Sequence, residues 1–502
     1  MTMCALAAGG KECKVKMNVF DNKYLRRIVY SIQVIVMILL MIMAYYIQLI
    51  PMKYLIGAGI VFILLMIGEY FLIFTKKPNS KRSLVTQVLS IMLSCFLIVG
   101  SFYIYKIGET VDLTTEKKFQ TRAFSVIVLK DSPIKNENQL PQKKLGYVST
   151  IDPENMSYAV SQIQKGVGNI EVADSGDFQQ LLKAFYEKKV DGILIDEAFR
   201  RSVEDIKDSF GDETRVIYQV KKNEDVVNAN QVDVTQKPFL VYISGNDEYG
   251  DLSAVSRSDV NMLVGVNPQT KQILLISIPR DTYIPLHRNG KLDKFTHAGI
   301  YGLQESIDTL QDMIHEDINY YARMNFTSFM DIVDALGGIT VNSPQEFTTK
   351  IGKYKIKKGE NHLNAKQALA FVRERKSFLE GDFERGRNQQ RMIAAIVKKI
   401  ASPTILTSFS GVLDSVSQSV ETNFSREDMN ALIHLQLEEM PSWDIQSYQI
   451  SGTPMSKPCF SMGGVNASVV VPSQEAIDQT THYIDQFMAG EKIQTETGDL
   501  GQ

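Results

Sequence analysis

Cysteine is scarce in this chain. Its 502 residues contain four: Cys4, Cys13, Cys95 and Cys459. They show neither metal-ligand spacing nor the paired pattern of a disulfide framework. Cys459 stands alone after the apolar N-terminal region, so no disulfide can form within the long remainder. Histidine is sparse too, at six. His287, His297 and His315 lack ligand spacing and read as structural or surface residues. Net charge is almost absent, because 54 Lys and Arg against 57 Asp and Glu leave −3. Nothing here calls for nucleic acid, which needs a basic face. Ser244 sits beside Gly245 without a nucleophile elbow, which leaves a Ser-His-Asp hydrolase unsupported. No internal repeat is visible.

What the chain does have is three apolar runs near its start, over 28–50, 54–75 and 84–107. Each approaches the roughly 20 residues that cross a bilayer as a helix. A cleaved signal peptide would be shorter, with a small-residue cleavage site. Lys and Arg in short loops set orientation. Lys11, Lys14, Lys16, Lys23, Arg26 and Arg27 precede the first run. The first loop offers only Lys53, and the second carries Lys76, Lys77, Lys81 and Arg82 without an acid. The N-terminus and second loop are therefore expected in the cytoplasm, and everything after about Gly108 outside it. This makes a multi-pass cell-membrane protein, with the lipid bilayer as its first partner.

The remainder alternates short strands and helices, which predicts an α/β fold. The expected organisation is a cytoplasmic segment (1–27), three transmembrane helices (28–107), an accessory α/β domain (108–236), a second α/β domain with a mixed central sheet flanked by helices (237–480), and a polar tail (481–502) that is disordered from about Thr495. The accessory domain resembles one lobe of a periplasmic solute-binding protein but carries no ligand motif. Charged and polar residues over 221–237 read as the link between the two.

Chemistry collects in the second domain. Strands are expected at 239–244, 260–266 and 272–278. If tight connections make them antiparallel neighbours, Asp247, Asp259, Arg280 and Asp281 fall at one end of the sheet. The segment Leu369-Ala-Phe-Val-Arg-Glu-Arg reads as a strand, with Arg373 and Arg375 on one face and Glu374 on the other. Asp382, Arg385 and Gln389 would share one face of the helix that follows, and that helix start offers backbone N–H groups to an anion. Arginine suits phosphate because its planar fork donates two parallel charge-assisted bonds. Paired aspartates suit Mg²⁺, a hard ion that takes oxygen ligands and shares them with substrate phosphates. Each feature alone also has a bland reading: Asp247 as a turn residue, Asp259 as a strand-end cap, and the Arg/Glu alternation as a solvated face of weak ion pairs.

Several spaced motifs, taken together, resemble the LytR-CpsA-Psr family. They are Ser256-Arg-Ser-Asp-Val, Ile278-Pro-Arg-Asp-Thr-Tyr, Lys294-Phe-Thr-His-Ala, Ile332-Val-Asp-Ala-Leu-Gly-Gly-Ile, Ala368-Leu-Ala-Phe-Val-Arg-Glu-Arg and Gly381-Asp-Phe-Glu-Arg-Gly-Arg-Asn-Gln-Gln. They occur in the family's order over about 240–400. Three spans plus an accessory domain resemble the CpsA branch found in capsule loci of Gram-positive bacteria. The resemblance implies a phosphotransferase that moves a glycopolymer, here a capsular polysaccharide, from undecaprenyl pyrophosphate to peptidoglycan. The new link is a phosphodiester, and other capsule assembly proteins are possible partners. It assigns Mg²⁺ to Asp247 and Asp259, and pyrophosphate to Arg257, Arg280, Arg373, Arg375, Arg385 and Gln389. Asp281 and Asp382 occupy acidic positions of the same motifs, in catalytic company with the arginines. Phe295 and Thr296 depart from the Asn that family members often carry before the equivalent of His297.

Three rivals accompany this reading: a transcriptional attenuator of capsule expression, a sensor that binds lipid-linked sugars without turnover, and a polyprenyl pyrophosphatase. A large part outside the membrane disfavours the first. Paired aspartates disfavour the second. The third would use the same electrostatic site with water as acceptor. The topology is directly testable. A reporter fused after Gly108 should be active only outside the cytoplasm, and a cytoplasmic signal would overturn the orientation.

Overall fold

The computed structural model describes residues 23–47, 51–74, 81–114, 119–225, 230–246, 254–402 and 420–496. Asp247, Lys76 and Lys77, the N-terminal residues 1–22 and the end of the tail lie outside these. The chain divides into two compact units, 1–109 and 110–502.

The apolar runs form α1 (Lys23–Ile47), α2 (Met52–Phe74) and α3 (Lys81–Thr114). All three are long and apolar enough to cross a membrane. Their large side chains point outward, Leu64 and Phe96 among them. That is the reverse of a water-soluble helix, and it is what a lipid solvent favours.

Among the described residues, the second unit is built on two large sheets, of five and six strands, with four two-stranded ones beside them. The first joins β1 (Phe119–Leu129), β2 (Lys144–Tyr147), β3 (Glu171–Asp174), β4 (Gly192–Asp196) and β5 (Thr214–Asp225) in the order β3-β2-β4-β1-β5. Alternate residues of β1 face opposite sides, as a period of two demands. Phe124, Val126 and Val128 meet α4 (Pro153–Val167), while Ile127 meets α5 (Phe178–Tyr186) and α6 (Arg200–Ile206). Residues 221–225, expected within a linker, instead continue β5 and pair with 119–123 of β1. Their charges fooled the reading because β5 is an edge strand whose outward positions are wet.

The second sheet joins β6 (Phe239–Gly245), β7 (Val260–Asn267), β8 (Gln272–Ser277), β9 (Tyr320–Met324), β10 (Glu421–Thr422) and β11 (Asp444–Gln449) in the order β10-β9-β6-β7-β8-β11. β6, β7 and β8 are antiparallel neighbours, and β9 and β11 flank them in parallel, which makes the sheet mixed. Leu240, Tyr242, Leu263 and Leu274 pack under α7 (Leu303–Ile314). The same core takes Tyr483, Ile484 and Phe487 of α12 (Gln474–Met488), which comes after α11 (Arg426–Glu439). Phe239, Val241, Met262 and Leu275 face the other way, toward α10 (Asp382–Ala401). A further core gathers α8 (Phe326–Ala335), α9 (Ala365–Arg373) and Met392 of α10.

The expected polar tail therefore begins too early. Residues 481–488 belong to α12, and the Phe487 ring lies where a Cβ on Gly265 would be only 2.7 Å away. Thr495 is itself buried, its N–H donating to Gln446 Oε1 at 3.2 Å. Apolar residues at 483, 484 and 487 carried that signal at helical spacing.

The two sheets are tied together. Val255 N–H donates to Thr121 O at 3.2 Å, and Val255 and Ile300 complete the apolar core of the first sheet. Arg122, fully buried, bonds Asp196 Oδ2 at 2.6 Å, Glu224 Oε1 at 3.2 Å and the Ile300 carbonyl at 3.0 Å. A buried cation is tolerated only when its donors are so used. A second buried knot holds His297, whose Nδ1 lies 2.6 Å from Asp293 Oδ1, while Asp293 Oδ2 accepts from Ser461 N–H at 2.7 Å. Cys459 lies against the same pair.

Arg122→Met should destabilise the second unit by about 3–5 kcal/mol, because Asp196 would be left buried without its cation. Denaturant unfolding of the full chain in detergent, followed by Trp443 fluorescence, reads this from the far sheet. A cost below about 1 kcal/mol would show that the two sheets do not depend on this tie.

Candidate functional site

The antiparallel order of β6, β7 and β8 does what the sequence suggested. With Met262 opposite Ser277, the residues just before β7 and just after β8 lie side by side. Asp259, whose N–H donates to Gly245 O at 2.7 Å, forms an ion pair with Arg280 Nη1. Asp281 backs this arrangement, with Lys294 Nζ at 2.9 Å and Arg280 Nε at 3.7 Å from its carboxylate. Burial works against the Asp281 charge, but Lys294, Arg280 and Arg385 outweigh it and hold the carboxyl below its usual range.

The expected strand at 369–375 is a helix. α9 ends at Arg373, and Glu374 turns extended. The Asn364 side chain caps the helix start by accepting Gln367 N–H, and Gln367 returns the bond, a reciprocal box that sequence inspection could have found. Arg373 and Arg375 thus do not share a strand face. They still reach one cavity, because buried Glu374 accepts the N–H groups of Arg375 and Ser377 at 3.0 Å each and folds the chain back. Arg373 lies over the Phe326 ring at 4.1 Å.

α10 brings the remaining groups. Arg385 Nη2 reaches Asp382 Oδ2 at 3.0 Å, and Arg375 Nη1 lies 3.7 Å from the other carboxylate oxygen. A Cβ on Gly386 would stand 2.9 Å from Ser277 Oγ, so glycine lets α10 settle on the end of β8. Asp382 and Glu384 occupy the positive first turn of the helix. Anion binding there consequently falls to the arginine side chains.

Asp259, Arg280, Arg373, Arg375 and Arg385 border a cavity of about 300 Å³, which Asp281 and Asp382 do not line though they pair with arginines that do. Arg280, Lys350, Arg373, Arg375, Lys376 and Arg385 line it, six cations against the two carboxylates of Asp259 and Glu374. Burial lowers the proton affinity of Arg385, and together with nearby Arg280 and Arg375 it outweighs the opposite pull of Asp382 and Asp259. The cationic wall is therefore short of negative charge, a deficit that a bound polyanion would fill. Gln389 and Val260 also line it.

Beside it lies a second, almost wholly apolar cavity of about 70 Å³. Val260, Phe326, Val372, Arg373 and Gln389 border both. Ile243, Met324, Phe329, Leu369, Met392 and Ile393 complete the apolar wall. Sequence reasoning missed these, since each looks like an ordinary core residue of its own element. It also missed Lys350 and Lys376.

Not every expected site residue converges here. Arg257 lines neither cavity; its Nη2 bonds Ser202 Oγ and Asp205 Oδ2 of α6, both at 2.9 Å. Asp247 lies outside the described residues.

Comparisons with known proteins fall on this region. The LytR_cpsA_psr family matches residues 202–485. The chain is 37% identical over 233 residues to the polyisoprenyl-teichoic acid–peptidoglycan teichoic acid transferase TagU of Bacillus licheniformis, covering 46% of this chain and 69% of that one. The protein of the same name from Bacillus mycoides is 39% identical over 194 residues, covering 38% and 62%. Among solved structures, TagV of B. subtilis aligns with a TM-score of 0.43 and 26% identity, over 51% of this chain and 99% of that one.

The cationic cavity makes a direct prediction. Arg385→Lys keeps the charge but loses the planar fork. Pyrophosphate binding, measured by calorimetry, should weaken by about 1.5–3 kcal/mol with thermal unfolding unchanged. Unaltered affinity in folded protein would leave the arginines as a solvated face.

Proposed function

The chain belongs to the LytR_cpsA_psr family, and from that membership we propose that it transfers a glycopolymer from polyprenyl pyrophosphate to peptidoglycan. The observation that carries the reading is the pair of adjoining cavities. One is ringed by Arg280, Arg373, Arg375 and Arg385, the other is apolar, and Arg373 and Gln389 stand at their border. A lipid pyrophosphate has the same two parts in the same order. The arginines hold its phosphoryl oxygens, and the prenyl chain enters between Phe326, Phe329, Leu369 and Met392.

An acceptor hydroxyl oxygen attacks the phosphorus that bears the polymer. The bond from that phosphorus to the bridging oxygen breaks, and polyprenyl phosphate leaves. One new phosphodiester forms, and the hydroxyl proton departs with the polyprenyl phosphate, so charge and atoms balance. Phosphoryl transfer of this kind depends mainly on positioning and on charge placed around the transferring group. The guanidinium ring does both, and its rigidity comes from Asp259, Asp281 and Asp382.

Asp259 also fits a divalent ion. It places a hard carboxylate oxygen on the wall of the phosphate cavity, the donor type that Mg²⁺ selects. Mg²⁺ held by Asp259 and Asp247 would neutralise charge on the pyrophosphate. Peptidoglycan as acceptor, and the Lys/Arg bias around the spans, support an orientation with the second unit outside the cytoplasm. The polymer is proposed to be a capsular polysaccharide.

The test incubates the full chain in proteoliposomes with labelled lipid-linked polymer and peptidoglycan. Label should move to peptidoglycan with equimolar release of polyprenyl phosphate. Asp259→Ala should cut the Mg²⁺-dependent rate by roughly a hundredfold. A lipid-linked teichoic acid, offered in parallel, should be used less well than the capsular polymer. Release of polymer phosphate without label in peptidoglycan would make the protein a pyrophosphatase, and binding without turnover would make it a sensor.

A further inference from the structure

The mouth of the phosphate cavity has an unusual lip. On one side is the hairpin that pairs Phe347–Thr348 with Lys355–Ile356. On the other is the loop 375–381 that follows α9. The two form one platform. The Phe347 and Phe378 rings meet edge to face at 4.7 Å, Ser377 Oγ donates to Thr348 O at 2.9 Å, and Lys350 N–H donates to Glu374.

Two features of the platform go beyond what holding a pyrophosphate requires. Between 350 and 358 the chain carries Lys350, Lys353, Lys355, Lys357 and Lys358 with no acid, and all five are exposed. Large apolar side chains also stand out in water there: Leu379 is fully exposed and Ile351 is 53% exposed. Ile351, Lys350 and Lys376 line the cavity itself, and Leu379 lies three residues beyond Lys376 on the same loop.

We propose that this lip docks on the surface of an anionic lipid bilayer, with Leu379 and Ile351 entering the interface and the lysines meeting the headgroups. Lysines interleaved with exposed aliphatic tips are the signature of interfacial binding. A soluble anionic polymer would account for the lysines and leave Leu379 and Ile351 unexplained. A chain with three helices apolar enough to span a membrane also has a bilayer within reach. The consequence deepens the proposed function and rests on it for what enters. A lipid pyrophosphate could pass from the interface into the adjoining cavities without its prenyl chain crossing open water.

The readout is independent of turnover. Trp443 is the sole tryptophan, so Trp443→Phe with Leu379→Trp puts one indole on the lip. In proteoliposomes of the full chain with phosphatidylglycerol, its emission should shift to the blue and be quenched by acyl-brominated lipid. Lys353→Gln, Lys355→Gln, Lys357→Gln and Lys358→Gln together should reduce the quenching. Each lysine charge is expected to change the docked-to-undocked ratio about fivefold. Should the tryptophan variants fold poorly, hydrogen–deuterium exchange over 349–358 and 375–381 in the unmodified chain serves instead. Protection should be stronger in anionic than in neutral bilayers. Solvent-like emission without quenching, or exchange indifferent to lipid charge, overturns the proposal. So does protection produced only by added poly(glycerol phosphate), which would make the lip a polymer site. Docking in a protein that fails the transfer assay would preserve the lip and remove the transferase.

Discussion

Like charges resist being gathered, and the site depends on overcoming that resistance. Four guanidinium groups surround one cavity of about 300 Å³, with two lysines beside them. At separations of a few ångströms and reduced dielectric such repulsion amounts to several kcal/mol. The fold meets it with fixed counter-charges, each on a different element. Asp259 stands before β7, Asp281 after β8, and Asp382 in the first turn of α10. They hold the arginines in place without neutralising them all. What remains is a cavity preorganised for a polyanion, which is where electrostatic catalysis gains most, since little reorganisation is left for the reaction itself.

The sheet sets the precision of that arrangement. Three antiparallel strands turn residues far apart in sequence into neighbours, and the parallel strands on either side supply walls. The apolar cavity is built from β6, β7, β9, α8, α9 and α10 together. Phosphate and lipid chemistry therefore share a boundary at Arg373 and Gln389. A change there, or at Val260, Phe326 or Val372, which also border both, alters both.

Much of this was legible from sequence where the signal is local. The meeting of Asp259 with Arg280 followed from the short connection between the antiparallel strands β7 and β8. The alignment of Asp382, Arg385 and Gln389 followed from helical spacing. The run at 369–375 misled because Ala-Leu-Ala-Phe-Val is apolar and flanked by charge, as strands often are, while the Asn364 and Gln367 cap lies upstream. Arg257 shows another limit: spacing places its backbone at the sheet end, but its side chain follows Ser202 and Asp205 of another sheet's helix. The apolar cavity was invisible for a related reason. No periodicity distinguishes a side chain that fills a core from one that borders an empty space within it.

The bonds that join the two sheets also bear on how such a chain could be made. Arg122 bonds a carbonyl 178 residues further on, and β8 pairs its Gln272 with Asp444. During synthesis in N-to-C order, the first sheet emerges long before Ile300 can accept its buried cation, and β8 waits longer for β11. Contacts of such separation fold slowly and leave strand edges exposed meanwhile. With a lone buried cysteine in the second unit, no oxidative step can hold partial structure in place. The first sheet can pair within 119–225, but its tie to Ile300 and the closure of β8 by β11 must wait for the later chain, and the edges left open meanwhile call for protection.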